Sequence, residues 1–329
     1  MNDKKITLTY IAKKANVSVA TVSRVLNGNS SVDEKIKNKI NKIINSDGYN
    51  LKKTIKNKQI ISVIIPDITN PFFANIIEGI ENTANLYGYH IILSQFKENK
   101  DISNFKYITN IGLSGYIIIP SVGSTKYFDD IVNNSNLPVI FLDRKVELDN
   151  INYVGSDNEI GAYNATKYLI DLGHKNIIYM AGPQDISTEN ERFSGFIKAL
   201  NDNNIDFNYS KYKKVANFNF EESYIQMKDI IKSKLDYTAI FSACDVMCFG
   251  IKKATEEYGI SIPNDISLIG YDNIPFSSMI GLTTVSSQAY EMGKNAVLSV
   301  LNIISERITD NINIVLQPNI VIRNSCKKI

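Results

Sequence analysis

Histidine is scarce in this sequence, thiols are few, and long apolar runs are missing. His90 and His174 are the two histidines among 329 residues, and Cys244, Cys248 and Cys326 are the three cysteines. Cys244 and Cys248 stand one helical turn apart, but neither a histidine nor a third thiol lies near them in the chain. Buried free thiols in a reducing compartment are therefore expected, and no metal site. No uninterrupted apolar stretch approaches the roughly 20 residues that span a bilayer, so no membrane association is expected. The first lysines precede an amphipathic segment and not an apolar run. The start does not read as a signal peptide, and a cytoplasmic location is expected. The Walker loop, the G-x-G-x-x-G fingerprint and the G-x-S-x-G elbow are all missing. His174, in LGHKNI between a helix and a strand, suits a capping role better than proton transfer. Neither catalytic machinery nor a cofactor is expected.

What is present begins with ITLTYIAKKANVSVATVSRVLN at Ile6–Asn27. Ile11, Ala12 and Ala15 form an apolar stripe at helical spacing, with Thr9 placed to cap it. Asn16-Val17-Ser18 interrupts the period, and Asn tolerates the left-handed backbone that a tight turn between helices demands. Ser18 then caps a second helix, Val19 to Leu26, with Val22, Val25 and Leu26 facing inward. Ala20, Thr21, Ser23, Arg24 and Asn27 remain on its open side. That face is short, polar and cationic, and small where a backbone must approach. It fits the second helix of a helix-turn-helix lying in a DNA major groove. Ser31-Val-Asp-Glu34 reads as a capping box for a third helix, with Ile36, Ile40, Ile43 and Ile44 as its stripe and Gly48 just past its end. Charge agrees with this reading. Residues 1–58 carry 13 Lys and Arg against 4 Asp and Glu, a balance of +9, which leaves −7 on the rest of a chain whose total is +2. A basic head on an acidic body is the electrostatic footprint of a nucleic-acid-binding domain. Residues 49–59 are lysine-rich, with Leu51 and Ile55 one turn apart, and read as a linker able to order against DNA.

From Ile60 onward the pattern changes. IISVIIPD, HIILSQF, GYIIIPS, PVIFLDR and NYVGSD form one series of short β-branched runs, and NIIYMAGP, KYKKVANF, TAIFSACD and SLIGYDN form a second. Helical stretches lie between most of them, as at Phe72–Tyr87, Ile160–Leu172, Glu191–Asn201, Phe220–Lys234 and Cys244–Tyr258. Apolar strands alternating with helices predict an α/β body of two lobes, each a parallel sheet covered by helices on both faces. Ligands of such sheets bind at the carboxyl ends of the strands. In the first lobe those ends hold Asp67, Asn70, Phe72, Phe73, Ser121, Asp143 and Arg144. In the second they hold Thr188, Arg192, Phe218 and Asp245. Carboxylates and guanidinium groups satisfy hydroxyls, and an aromatic ring covers the apolar face of a pyranose, so the inventory suits a sugar.

Several segments together resemble the LacI/GalR family of transcriptional regulators, over Ile6 to Arg323. They are TVSRVLNG at Thr21–Gly28, IIPDITNPFF at Ile64–Phe73, FLDR at Phe141–Arg144, LGHKNI at Leu172–Ile177 and AGP at Ala181–Pro183. ERFSGF at Glu191–Phe196, IPNDISLIGYDN at Ile262–Asn273, LTTV at Leu282–Val285 and EMG at Glu291–Gly293 complete the series. The resemblance implies a homodimer that binds a pseudo-palindromic double-stranded operator, with a body folded like periplasmic sugar-binding proteins. It implies helix-turn-helix residues 1–48, a hinge at 49–59 and a body at 60–329. The N-lobe would comprise about 60–157 plus 286–313 and the C-lobe about 158–285 plus 314–329, with crossings near Asp157, Val285 and Ile314. Val19, Ala20 and Arg24 would meet base edges, while Thr7, Ser18, Thr21, Ser23 and Asn27 would hold phosphates. Phe72, Phe73, Ser121, Asp143, Thr188, Arg192, Phe218 and Asp245 would contact a sugar or sugar phosphate that sets operator affinity.

The chain also departs from the family pattern. Asn16 replaces the usual Gly, Cys244-Asp245 the usual Asn-Asp, and Ser287-Gln288 the usual Gln-Pro. The hinge is shorter than usual, and Asn50-Leu51-Lys52 stands where Pro-Asn-Ala and a minor-groove Leu are expected; Leu51 or Ile55 would have to supply the wedge. Two other readings follow from parts of the chain. One is a catabolite-control regulator answering to a phosphorylated phosphocarrier protein. The other is a sugar-binding protein with no DNA role, which the body alone would fit and the basic head argues against.

Overall fold

The computed structural model describes residues 8–26, 32–47, 59–96, 112–121, 128, 131–132, 136–148, 150–307 and 310–329. They fall into two compact units, residues 1–58 and 59–329.

The head contains α1 (Leu8–Ala15), α2 (Val19–Leu26) and α3 (Glu34–Asp47). Ile11, Ala12, Ala15, Val22, Ile40 and Ile43 close its core, with Val17, Val25 and Ile36 at the edge. A core this small supplies little more than the ordering entropy it must offset. Its caps differ from the expected ones in two places. Thr9 lies inside α1, which already runs from Leu8, and α3 starts at Glu34, after Asp33. Asp33 Oδ1 accepts from the Lys35 backbone at 2.8 Å and so serves the free amides at that end, while Ser31 lies outside the described residues.

The body opens with β1 (Ile60–Ile65), α4 (Pro71–Leu86), β2 (His90–Gln95), β3 (Gly115–Ile118), β4 (Val139–Leu142) and β5 (Asn152–Ser156). It continues through α5 (Asn158–Asp171), β6 (Ile177–Ala181), α6 (Ser187–Asp202), α7 (Tyr209–Tyr212), β7 (Lys213–Val215) and α8 (Phe220–Lys232). Next come β8 (Ala239–Ser242), α9 (Asp245–Glu257), β9 (Ser267–Tyr271), α10 (Pro275–Met279), β10 (Thr283–Ser286) and α11 (Ala289–Ile304), and the chain ends with β11 (Asn313–Leu316) and β12 (Asn319–Val321). Two six-stranded sheets result, ordered β11-β5-β4-β3-β1-β2 and β12-β10-β9-β8-β6-β7. β12 runs antiparallel to β10, whereas the other described pairings are parallel.

Alternation within the strands explains why both faces of the first sheet are covered. Ile61, Val63, Ile65, Ile117, Ile140, Leu142 and Val154 enter one cluster, under α4 and α11. The interleaved Ile64, Tyr116, Ile118, Phe141 and Tyr153 enter another. The second sheet has its own core around Tyr179, Phe196, Phe241 and Met247. The chain crosses between sheets at Asp157, between β10 and α11, and finally at Gln317-Pro318. This last crossing comes a few residues after the expected Ile314, because β11 pairs with β5 through Leu316. The KYKKVANF run also divides: its first residues close α7, and only Lys213–Val215 pairs as strand.

Cys244 and Cys248 are buried free thiols, and Cys326 is partly buried. His174 is also interior: Nδ1 meets Thr238 Oγ1 at 2.9 Å and Nε2 meets the Lys327 carbonyl at 3.1 Å. The ring therefore pins the C-terminal segment to the β6 side of the lobe, and burial lowers its pKa. Among the described residues no helix is long and apolar enough to cross a membrane.

Candidate functional site

In the head, the turn between α1 and α2 forms as its chemistry requires. Asn16 takes φ 56°, and the Val17 amide reaches back to the Ala12 carbonyl at 3.0 Å. Ser18 Oγ accepts from the Thr21 backbone at 3.0 Å and lies 2.8 Å from Thr21 Oγ1. Two hydroxyls are thus held at the positive end of α2, a favourable place for a phosphate. Val19 is 43% exposed, an apolar side chain left outside the core at the start of the helix. Ala20, Ser23 and Arg24 lie on α2. Thr7, Asn27, Leu51 and Ile55 lie outside the described residues.

In the body, the carboxyl ends of both sheets bring together a set of buried charges centred on Arg192 of α6, which is 3% exposed. Its Nε donates to Asn158 Oδ1 at 3.0 Å, its Nη1 to the Ala243 carbonyl at 2.6 Å, and its Nη2 lies 3.3 Å from Asp272 Oδ1. The guanidinium plane rests 3.9 Å from the centroid of Tyr271. Burial opposes its charge, but Asp272, Tyr271 and Asp143 outweigh that and raise its pKa, so the cation persists. The centroid of Phe218 lies 6.0 Å from the same guanidinium. Two successive left-handed residues, Asn217 at φ 49° and Phe218 at φ 57°, aim that ring across the end of β6. Gly182 makes room for it, since a Cβ there would overlap the ring.

Asp143 and Arg144 supply the N-lobe half. Asp143 sits at φ 67°, its carbonyl accepting from Tyr153 Oη at 3.0 Å, and its carboxyl is nearly buried. Burial raises its pKa against the pull of Arg144 and Arg192. Arg144 Nη1 donates to the Pro120 and Ser121 carbonyls at 2.8 and 3.1 Å, and its guanidinium lies 5.8 Å from the Phe73 ring. Phe73 packs edge-on against Phe72 at 5.3 Å, both rings seated by Asn70 capping α4. Lys145 reaches across the lobes: its amide donates to Ser187 Oγ at 3.0 Å, and Nζ pairs with Glu191 at 2.7 Å.

The structure corrects one expected ligand and adds several. Asp245 does not face the cleft. It is fully buried, and its carboxylate accepts hydrogen bonds from Ile274 N, Ser277 Oγ and Thr284 Oγ1 inside the C-lobe. The acid that pairs with Arg192 is Asp272, which follows β9 by the same strand-end rule, inside IGYDN, a run the sequence reading takes only as a strand. Asn158 is a further residue that the sequence reading does not single out. Its Nδ2 donates to Glu191 Oε2 at 3.1 Å while its Oδ1 orients Arg192, and nothing in its local sequence marks that role. Thr188 is buried in the first turn of α6, next to Glu189. Glu189 Oε2 accepts from the Gly182 amide at 2.8 Å, and burial pushes its carboxyl up to about 7.

Comparison with known proteins agrees with both units. Residues 58–324 match the family of periplasmic binding proteins and sugar-binding domains of the LacI family, and residues 7–50 match the bacterial regulatory proteins of the lacI family. The chain is 32% identical to the HTH-type transcriptional repressor CytR of Escherichia coli, over 90% of this chain and 89% of that protein. It is 28% identical to the ribose operon repressor of Halalkalibacterium halodurans, over 98% and 97% of the two chains. A LacI-family regulator from Enterococcus faecium, solved with bound ribose, superposes with a TM-score of 0.75. That structure is 28% identical, covering 82% of this chain and 99% of the other.

Proposed function

The chain belongs to the LacI family of DNA-binding regulators, and from that premise we propose that it is a homodimeric repressor of carbohydrate-utilisation genes, released or engaged by an uncharged sugar held between its lobes. It works in the cytoplasm, on two operator half-sites read by paired heads. Val19, Ala20 and Arg24 read base edges, while Ser18, Thr21 and Ser23, with Thr7 and Asn27, hold phosphates. Leu51 or Ile55 is the candidate wedge of the hinge.

The observation that carries the sugar reading is the pairing of Arg192 with Asp272 over Tyr271, facing Asp143 and Arg144. Two carboxylates accept from hydroxyls and two guanidiniums donate to them, while the half-buried Phe218 offers a ring face. The two cations are already matched by two anions, so a phosphate dianion would meet Asp143 and Asp272 without a spare partner. A neutral pentose fits this balance, and ribose is the first candidate because it is named for a relative and bound in a related structure. On α10, Phe276 and Met279 are 54% and 80% exposed, an apolar face suited to a second copy of the chain.

A sugar touching both lobes favours their closed arrangement. It therefore shifts operator affinity by no more than its differential affinity for the two arrangements, typically about 1–3 kcal/mol. Titration of operator DNA with the protein, with and without D-ribose, D-ribose 5-phosphate and cellobiose, tests the reading. The expected result is a shift with ribose and none with its phosphate. A shift only with the phosphate refutes the neutral effector. A shift only with a phosphorylated phosphocarrier protein refutes the sugar.

A further inference from the structure

Asp245 opens α9 at the end of β8, the usual place for a ligand residue, yet none of it is exposed. Its oxygens are committed inside the lobe. Oδ2 accepts from the Ile274 amide at 3.0 Å and from Ser277 Oγ at 2.6 Å, and Oδ1 accepts from Thr284 Oγ1 at 2.6 Å. Gly270 on the neighbouring strand leaves the space for Oδ1, which a Cβ would overlap.

This carboxylate holds the segment that carries Asp272. Asp272 and Asn273 run at φ 113° and 54°, a backbone that L-residues seldom adopt and that persists only where the surroundings over-determine it. Three anchors do so. The Asp272 amide donates to the Val285 carbonyl at 2.8 Å, fixing the start of the turn to β10. Arg323 Nη2 donates to Asn273 Oδ1 at 2.8 Å, its Nη1 being held by the Leu282 carbonyl at 2.6 Å. Asp245 closes the turn from the far side through Ile274. Without that acceptor the buried Ile274 amide loses its partner, and the turn is free to relax toward negative φ. Asp272 would then swing from its place 3.3 Å from Arg192.

We infer that Asp245 is a positioning residue for the effector site: it fixes the left-handed Asp272-Asn273 turn so that Asp272 meets Arg192 and the sugar, and it touches no sugar itself. Its binding consequence rests on the sugar reading above, whereas the anchoring does not.

The test compares wild type with Asp245→Ala, which removes the acceptor, and with Thr284→Val in the full chain. Thr284→Val removes a single donor to the carboxylate and serves if Asp245→Ala fails to fold. Amide hydrogen exchange is read on peptides spanning Tyr271–Ser277, and D-ribose binding by calorimetry. Exchange in the turn should rise about tenfold in Asp245→Ala and less in Thr284→Val, while β6 and α6 keep wild-type rates. Ribose affinity should fall about tenfold in parallel. Unchanged exchange in the turn, equal acceleration across the whole C-lobe, or a loosened turn with unaltered ribose affinity would each overturn the inference. If wild type binds no ribose, the ribose reading falls by itself, and the exchange pattern alone decides whether Asp245 anchors the turn.

Discussion

The head and the body carry their recognition chemistry in opposite ways. In the head, the Ser18 and Thr21 hydroxyls stand at the start of an eight-residue helix, and among the described residues Ile11, Ala12, Ala15, Val22, Ile40 and Ile43 form the small core behind it. In the body, Asp143 and Asp272 follow β4 and β9 while Arg192 lies in the second turn of α6, and each is more than nine-tenths buried. A cation that meets DNA phosphates gains from counterion release and loses its grip as salt rises, and it needs no partner within the protein. A buried charge must be paired where it stands. The result is a tertiary network in which Asn158, Tyr271 and Ala243 fix Arg192. A DNA site on the head should therefore tolerate changes in the body, whereas the charge network around Arg192 should respond to changes well outside it.

The largest expected effect comes from cutting between the two. Removal of residues 1–58 should abolish operator binding in a mobility-shift assay and leave a body that still melts cooperatively; specific binding by the truncated chain would end the division of labour. Arg192→Ala comes next. It should abolish the sugar response and destabilise the body by about 3–5 kcal/mol, because Asp272 is left buried without its cation. Operator affinity without sugar should be nearly unaltered. A variant that loses DNA binding and sugar response together would show that the units are not independent.

The third test is a pH effect confined to the body. Glu189 has a folded pKa of about 7 against an ordinary 4.5, so the folded state holds its proton longer than the unfolded chain does. The stability this contributes is fully present below about 4.5 and is lost as pH rises through about 7, amounting to about 3 kcal/mol at most. Urea melts from pH 4.5 to 8 should show Glu189→Gln gaining on wild type as pH rises. Parallel curves would remove Glu189 as the cause. The smallest effect belongs to the head. Arg24→Ala should weaken specific operator binding by about 1–3 kcal/mol per half-site while random DNA is bound almost as before. Equal loss on both DNAs would assign Arg24 to phosphate and not to bases.

Much of this molecule was legible residue by residue. Asn16 is expected at positive φ and takes it, because Asn tolerates the left-handed backbone better than the Val and Ser beside it. Ser18 was expected to cap α2 and does, since its hydroxyl is within reach of the Thr21 amide in any such turn. Strands β1 to β9 were visible as β-branched runs, because sheets buried on both faces leave no room for polar alternation. Failures concentrate where distant elements meet. Asp245 and Asp272 end neighbouring strands in the same way, and sequence alone favoured the wrong one.

Local signals in the sequence were enough for the two units, their opposite charges and the first nine strands with most of the helices between them. These rest on local period, capping and composition, which act over a few residues. Only the tertiary structure decided which acid faces Arg192. Asp245 turns inward because Ser277 and Thr284, more than thirty residues away, offer it hydroxyls. Asp272 turns toward Arg192 because Val285, Arg323 and Asp245 hold its backbone in a conformation that its own residue type does not favour.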